Sequence, residues 1–319
     1  MLKTARTTRR CNSSFTLASS VFAAGALLTG TTAHAIVIAN ESVRPQHEVF
    51  ASNPGFASVG ILRPQTARDD LASGTYLGNG WVLTAGHVAD DAPSHTFEIG
   101  GAVYTSAEVV INDDFNADLA FGTDLALIRF DGLADANPTA AVITPDLDPF
   151  ARVGSRVALA GFGQTGTGFT GRTGPNGVLN AGTNRLDAFG RDLAVEPGEP
   201  RPLDNLLLFD FDNPDAADAD GSATLLEAAY GGGDSGSGVF VIGPGDDLLL
   251  IGIASFLLAP DEVPDASFGD FSGAANLAGQ QAWISGVTGL DLGTPIPEPA
   301  ALATLLGMAP LMLRRRVLR

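Results

Sequence analysis

Three stretches of this chain hold side chains whose types and surroundings suit acyl-transfer chemistry. The first is the octet Gly231-Gly232-Gly233-Asp234-Ser235-Gly236-Ser237-Gly238, followed by the apolar run Val239-Phe240-Val241-Ile242. A serine between glycines packs poorly but presents its hydroxyl well. Glycine lets the backbone turn sharply and brings main-chain N–H groups close to a reacting carbonyl. Two such N–H groups aimed at one point form an oxyanion hole, usually the largest single contribution to acyl transfer. Taken alone the octet also reads as a flexible Gly/Ser loop, so the chemistry depends on a base and an orienting acid elsewhere.

Both are present, and in order. Thr84-Ala85-Gly86-His87-Val88 ends a strand-like run and places a histidine after a small-residue turn. Asp124-Leu125-Ala126-Leu127-Ile128 sets an aspartate directly before an apolar run. A serine hydroxyl is too weak an acid to attack an amide near neutral pH, so an imidazole must take its proton and return it to the leaving amine. A carboxylate must hold that imidazole in one tautomer and stabilise the imidazolium. Each member has a plainer reading when taken singly. His87 could be a structural histidine and Asp124 a turn residue, with Asp113, Asp114 and Asp118 competing for the acid's role. The three contexts in sequence are much harder to obtain by chance. They point to Ser235 as nucleophile, His87 as base and Asp124 as orienting carboxylate.

The elements that must position these residues are strands. Short apolar runs at 49–51, 57–62, 75–77, 81–84, 102–111, 125–130, 155–161, 205–211, 238–242 and 248–256 are separated by Gly, Pro, Asn and Asp clusters. That pattern predicts an all-β sandwich or barrel. Asn79-Gly80 is a hairpin signal directly before Trp81. One helix is predicted, over 275–287, with Leu277, Trp283, Ile284 and Val287 on one face as core packing. The eight glycines between Gly161 and Gly182 form no phosphate loop, since no Gly-Lys-Ser/Thr closes the segment. The acidic stretch Asp210 to Glu227 reads as a solvated loop; Asp218-Ala219-Asp220-Gly221 with Glu227 resembles part of a calcium loop, but Ala216 stands at the first ligand position. No metal site is expected.

Composition bounds the function. The chain has 319 residues and a formal charge of −18, from 18 basic and 36 acidic residues. Eight of the basic residues lie in the first ten and last six positions, leaving ten arginines in the body. Such a body should repel nucleic acid and anionic lipid. The single cysteine, Cys11, lies in the leader, so the body carries no disulfide and no thiol site.

Residues 1–35 read as a signal peptide: a basic start, an apolar stretch from Leu17 to Leu28, and Ala33-His34-Ala35 as the signal peptidase site. Arg9-Arg10 invites a twin-arginine reading, but Cys11-Asn12-Ser13 continues it poorly. Cleavage after Ala35 leaves Ile36-Val37 as a new N-terminus. At the other end, residues 289–296 form a linker. Pro297-Glu298-Pro299, the apolar run Ala300 to Leu313 and Arg314-Arg315-Arg316 follow. Fourteen residues with Pro310 inside make a marginal span, suited to transient membrane contact.

Trp81-Val82-Leu83-Thr84-Ala85-Gly86-His87, Asp124-Leu125-Ala126-Leu127-Ile128 and Gly233-Asp234-Ser235-Gly236 resemble the three signatures of trypsin/chymotrypsin-like serine peptidases. Gly161-Phe162-Gly163 is similar to that family's Gly-Trp-Gly segment, and Trp283-Ile284 to its terminal helix. The resemblance covers residues 36–288. It implies two six-stranded antiparallel β-barrels, about 36–145 and 146–288, with a C-terminal helix and the triad in the cleft between them. It implies an oxyanion hole from the N–H groups of Gly233 and Ser235, and no cofactor. It also implies an activation pair, in which the ammonium of a freshly cut Ile36 meets Asp234, although Ile38-Ala39 stand where the family has Gly-Gly. Val88 replaces the usual cysteine. Ala229 occupies the place where trypsins carry an aspartate for basic side chains. Ser255-Phe256-Leu257 is similar to the Ser-Trp-Gly pocket wall, with Leu257 narrowing it. Ala229, Ser255 and Leu257 thus predict a pocket for small or medium apolar residues, unless Asp261 or Asp265 reaches in.

The tail resembles the PEP-CTERM sorting signal of exopolysaccharide-producing Gram-negative bacteria. That implies export, temporary inner-membrane retention and removal of residues 297–319 by an exosortase-type enzyme, with a plain membrane anchor as the rival. The expected protein is a secreted or surface-sorted serine endopeptidase acting on proteins or peptides. The alternative is a catalytically silent protease-fold binding or matrix protein. An esterase is disfavoured by the absence of a Gly-x-Ser-x-Gly elbow after a strand.

Overall fold

The computed structural model describes residues 35–292 apart from 69, 91, 116–118, 120–121, 144–150, 191–204, 217–221 and 244–246. Residues 1–34, where a signal peptide is expected, residues 293–319, which include the expected sorting signal, Asp118 and the segment Asp218 to Gly221 lie outside the described residues. β1 (Val37–Ile38) and the helix α1 (Arg44–Ala51) come first. Six strands follow: β2 (Val59–Pro64), β3 (Ala72–Gly78), β4 (Trp81–Thr84), β5 (His95–Ile99), β6 (Ala102–Ile111) and β7 (Ala126–Phe130). A short helix, α2 (Gly86–Asp90), joins β4 to β5. The six strands close into a barrel in the order β2-β3-β4-β7-β6-β5. Its interior is filled by Leu62, Tyr76, Val82, Phe97, Ile128 and Phe130. The turn between β3 and β4 has Asn79 at φ 51° and Gly80 at φ 83°, the left-handed pair that a tight hairpin needs to match strand twist.

After α3 (Leu133–Ala136) the chain builds a second sheet. Its strands are β8 (Val142–Ile143), β9 (Arg156–Gly161), β10 (Gly166–Thr167), β11 (Asn180–Arg185), β12 (Ala188–Phe189) and β13 (Leu206–Asp210), then β14 (Ala228–Ala229), β15 (Gly238–Ile242), β16 (Leu248–Leu258) and β17 (Phe271–Asn276). The order β11-β9-β15-β16-β17-β13-β12, with β8 added beside β16, makes an eight-stranded curled half-barrel. β10 and β14 are outside it and sandwich β1, with Val37 opposite both Gly166 and Ala229. Among the described residues the second half is thus a curled half-barrel in the place of the expected second barrel. α1 packs against β11, where the His47 Nδ1–H donates to the Ala181 carbonyl at 2.9 Å. The final helix, α4 (Gln281–Thr288), buries Ile284 and packs Trp283 and Val287 against the core.

Two local expectations change. The run Val49-Phe50-Ala51 ends α1 and forms no strand. Pro45 fits the first turn of a helix, and His47 and Ala51, four residues apart, are the buried positions; that is helical spacing. The predicted 275–287 helix begins later, because Ala275 and Asn276 complete β17. Among the described residues no helix is long and apolar enough to cross a membrane.

Candidate active site

Pairing of β4 with β7 brings the base and its acid together. The register sets Thr84 opposite Ala126, so the residues just after β4 and just before β7 come off one edge of the barrel side by side. His87 sits on α2, half-exposed, and Asp124 is fully buried. The His87 Nδ1–H donates to Asp124 Oδ2 at 2.8 Å, and the His87 backbone N–H donates to Oδ1 at 2.8 Å. This two-point hold fixes the ring's position and leaves Nε2 as its free nitrogen, the tautomer a general base requires. The Ser255 hydroxyl, on β16, also donates to Asp124 Oδ2. Asp113 and Asp114 make no hydrogen bond to His87; Asp114 turns its N–H onto Asn112.

Ser235 lies in the turn between β14 and β15, half-exposed. Ser73, on β3 of the barrel, clamps this turn. Its N–H donates to the Ser235 carbonyl at 2.9 Å and its hydroxyl to the Gly233 carbonyl at 3.0 Å. Gly236 has φ 89°, and a Cβ there would stand 2.1 Å from both Ser73 O and Thr84 Oγ1. Only glycine lets the turn come this close to the barrel. Among the described residues no carbonyl takes the N–H of Gly233 or of Ser235. His87, Gly233 and Ser235 line one cavity of about 300 Å³ with Pro64, Arg68, Asp70, Leu71, Ala72 and Val88.

Asp234 points away from that cavity into the protein. Its carboxylate is fully buried and accepts the N–H groups of Gly163 at 2.7 Å and Gly231 at 2.8 Å. Burial pushes its pKa up to about 7, against the opposing pull of those two donors. Ile36 is also wholly enclosed, at φ 54°. In this uncut chain its nitrogen is a peptide nitrogen, with no charge to offer the carboxylate.

A second cavity, of about 190 Å³, opens on the other side of Ser235. It is lined by Arg172, Tyr230, Gly231, Gly232, Ser235, Ala254, Ser255, Phe256, Leu257 and Pro264. Ser255 and Leu257 are on its wall. Ala229 is not: it lies in β14, buried against Val37, Phe211 and Ala266. Tyr230, the residue just after β14, lines the cavity in its place. Asp261 and Asp265 do not line the cavity either.

Sequence reasoning missed three contributors: Ser73, Arg172 and the bond from Ser255 to Asp124. Ser73 and Arg172 sit in no recognisable pattern, the motif around Ser255 points only to a pocket wall, and each acts through residues distant in the chain. The acidic stretch also differs from a solvated loop at one end. Glu227 is fully buried, and its Oε2 accepts the Thr224 N–H and hydroxyl at 2.6 and 2.7 Å. Burial raises its pKa to about 8. Among the described residues no group of three or more His, Cys, Asp or Glu side chains is placed to hold a metal ion.

A trypsin family model matches residues 51–185, a stretch that contains His87 and Asp124 and ends before Ser235. No curated protein matches the chain. Among solved structures, HL collagenase is similar with a TM-score of 0.53 and 20% sequence identity, over 74% of this chain and 96% of that one. The fold is thus chymotrypsin-like, and together with the family match it supports a trypsin-like serine peptidase domain.

Proposed function

We propose that this protein is an exported serine endopeptidase. Ser235 attacks the peptide carbonyl, His87 Nε2 takes its proton and passes it to the leaving amine, and buried Asp124 holds the ring and stabilises the imidazolium. The N–H groups of Gly233 and Ser235 receive the oxyanion. The acyl-enzyme is then hydrolysed by water through the same base. The observation that carries this reading is the two-point hold of Asp124 on His87 at the mouth of the cavity shared with Ser235.

Activation by export rests on Ile36 and Asp234. A left-handed φ at a β-branched residue costs roughly 1–3 kcal/mol. That dihedral exists only while Ala35 is attached, so a cut before Ile36 removes the constraint and creates an ammonium. A positive charge brought to Asp234 would favour its ionised form, which burial alone disfavours. The tail, through Pro297-Glu298-Pro299, then directs retention at the inner membrane and release by an exosortase-type enzyme to the cell surface or matrix.

The test is labelling of the mature protein, beginning at Ile36, with a fluorophosphonate probe. Label should attach to Ser235 and vanish in Ser235→Ala, and one uncleavable residue added before Ile36 should remove most of it. A well-folded mature protein that takes no label would instead be a binding protein on a protease fold.

A further inference from the structure

We infer that Arg172 makes the cavity beside Ser235 a binding site for an acidic side chain, so that the enzyme cleaves after glutamate or aspartate. This deepens the peptidase reading and rests on it. Among the described residues, Arg172 carries the only charge on the cavity wall. Among the described residues its guanidinium has no carboxylate or hydrogen-bond partner, and only its backbone is tied, by the N–H donated to the Asp265 carbonyl at 2.6 Å. The guanidinium lies over Gly232, where a Cβ would stand 3.0 Å from Nη1. Ser235 lines the same cavity, so a side chain next to the scissile bond would enter it beside this cation.

The surroundings favour a carboxylate over water or another protein group. Phe256, Leu257 and Pro264 give the wall apolar surface, and low polarity strengthens an ion pair. The Tyr230 hydroxyl is committed to the Gly238 carbonyl at 3.0 Å. The acids of the neighbouring loop stay off the cavity wall: Asp261 accepts the Val263 N–H, and Asp265, whose carboxylate lies beside Gly171, accepts the Ser267 N–H. A guanidinium presents paired donors that match both carboxylate oxygens. The apolar preference expected from Ala229 and Leu257 is thereby replaced. A lysine or arginine side chain would meet a like charge.

The experiment measures kcat/KM of the mature enzyme on peptides that differ only in the residue before the cleaved bond: Glu, Gln, Ala or Lys. Glutamate should exceed glutamine by about tenfold or more, as a charge-assisted hydrogen bond implies. The Glu/Gln ratio should fall towards one in Arg172→Gln, persist in part in Arg172→Lys, and give way to a preference for Lys in Arg172→Glu. Each ratio is internal to one protein, so a loss of stability in a variant does not mimic the result. Equal cleavage of Glu and Gln peptides by a fluorophosphonate-reactive wild type, or a ratio unmoved by Arg172→Gln, would overturn the acidic preference and leave the peptidase reading standing. A wild type that neither labels nor cleaves overturns both.

Discussion

Asp124 holds its place through three donors: the ring and the backbone of His87, and the hydroxyl of Ser255. The third comes from the opposite sheet, so it couples Asp124 to the half of the molecule that carries Ser235. Ser255→Ala should lower kcat/KM by about ten- to a hundredfold, the worth of one hydrogen bond to a charged group. Most of the change should appear in kcat, because the imidazolium forms after binding; an unchanged kcat would show that the bond only supports the fold. His87, Asp124 and Ser235 were legible as residues because each stands in a local pattern with its own chemical reason. Ser73, Arg172 and this role of Ser255 were not, since their partners are set by tertiary approach and leave no periodic trace.

At the scale of elements, the hairpin at Asn79-Gly80 and most strands were readable from turn residues and apolar runs. α1 was misread because Val49-Phe50-Ala51 looks like a strand in isolation; burial of His47 and Ala51 against β11 decides for helix. The closeness of the Ser235 turn to β3 and β4 was equally hidden. It is tested by Gly236→Ala, which puts a methyl group 2.1 Å from Ser73 O and Thr84 Oγ1 at a φ of 89°. The variant should lose about 2–4 kcal/mol and roughly 5–10 °C in Tm, and most fluorophosphonate labelling with it. A variant as stable and as reactive as the wild type would mean that the turn can retreat from the barrel at little cost.

For the molecule as a whole, the all-β class followed from the strand pattern and the chymotrypsin-like architecture from the resemblance of the three motifs to a known family, whereas the half-barrel form of the second sheet was not legible. Its buried acids set a pH response that composition conceals. Glu227 has its pKa raised to about 8 from 4.5, so the folded state holds a proton that the unfolded chain has released. Stability from this group is therefore full below about pH 4.5 and declines as pH rises through 8. Glu227→Gln lacks that decline. The Tm of the variant relative to the wild type should rise by several degrees between pH 5 and pH 9, as followed by thermal melts; parallel curves would show that the carboxylate ionises freely in the folded protein.

Ala35 and Ile36 have no exposed surface, and β1 just beyond them is seated between two strands. A processing enzyme must draw its target out as an extended segment into its own groove. Once β1 is seated, the joint between Ala35 and Ile36 is closed to such an enzyme. The proposed cut before Ile36 would therefore act on the emerging polypeptide, ahead of its collapse, and a precursor that folded too soon would lock away the bond that the proposed activation needs broken.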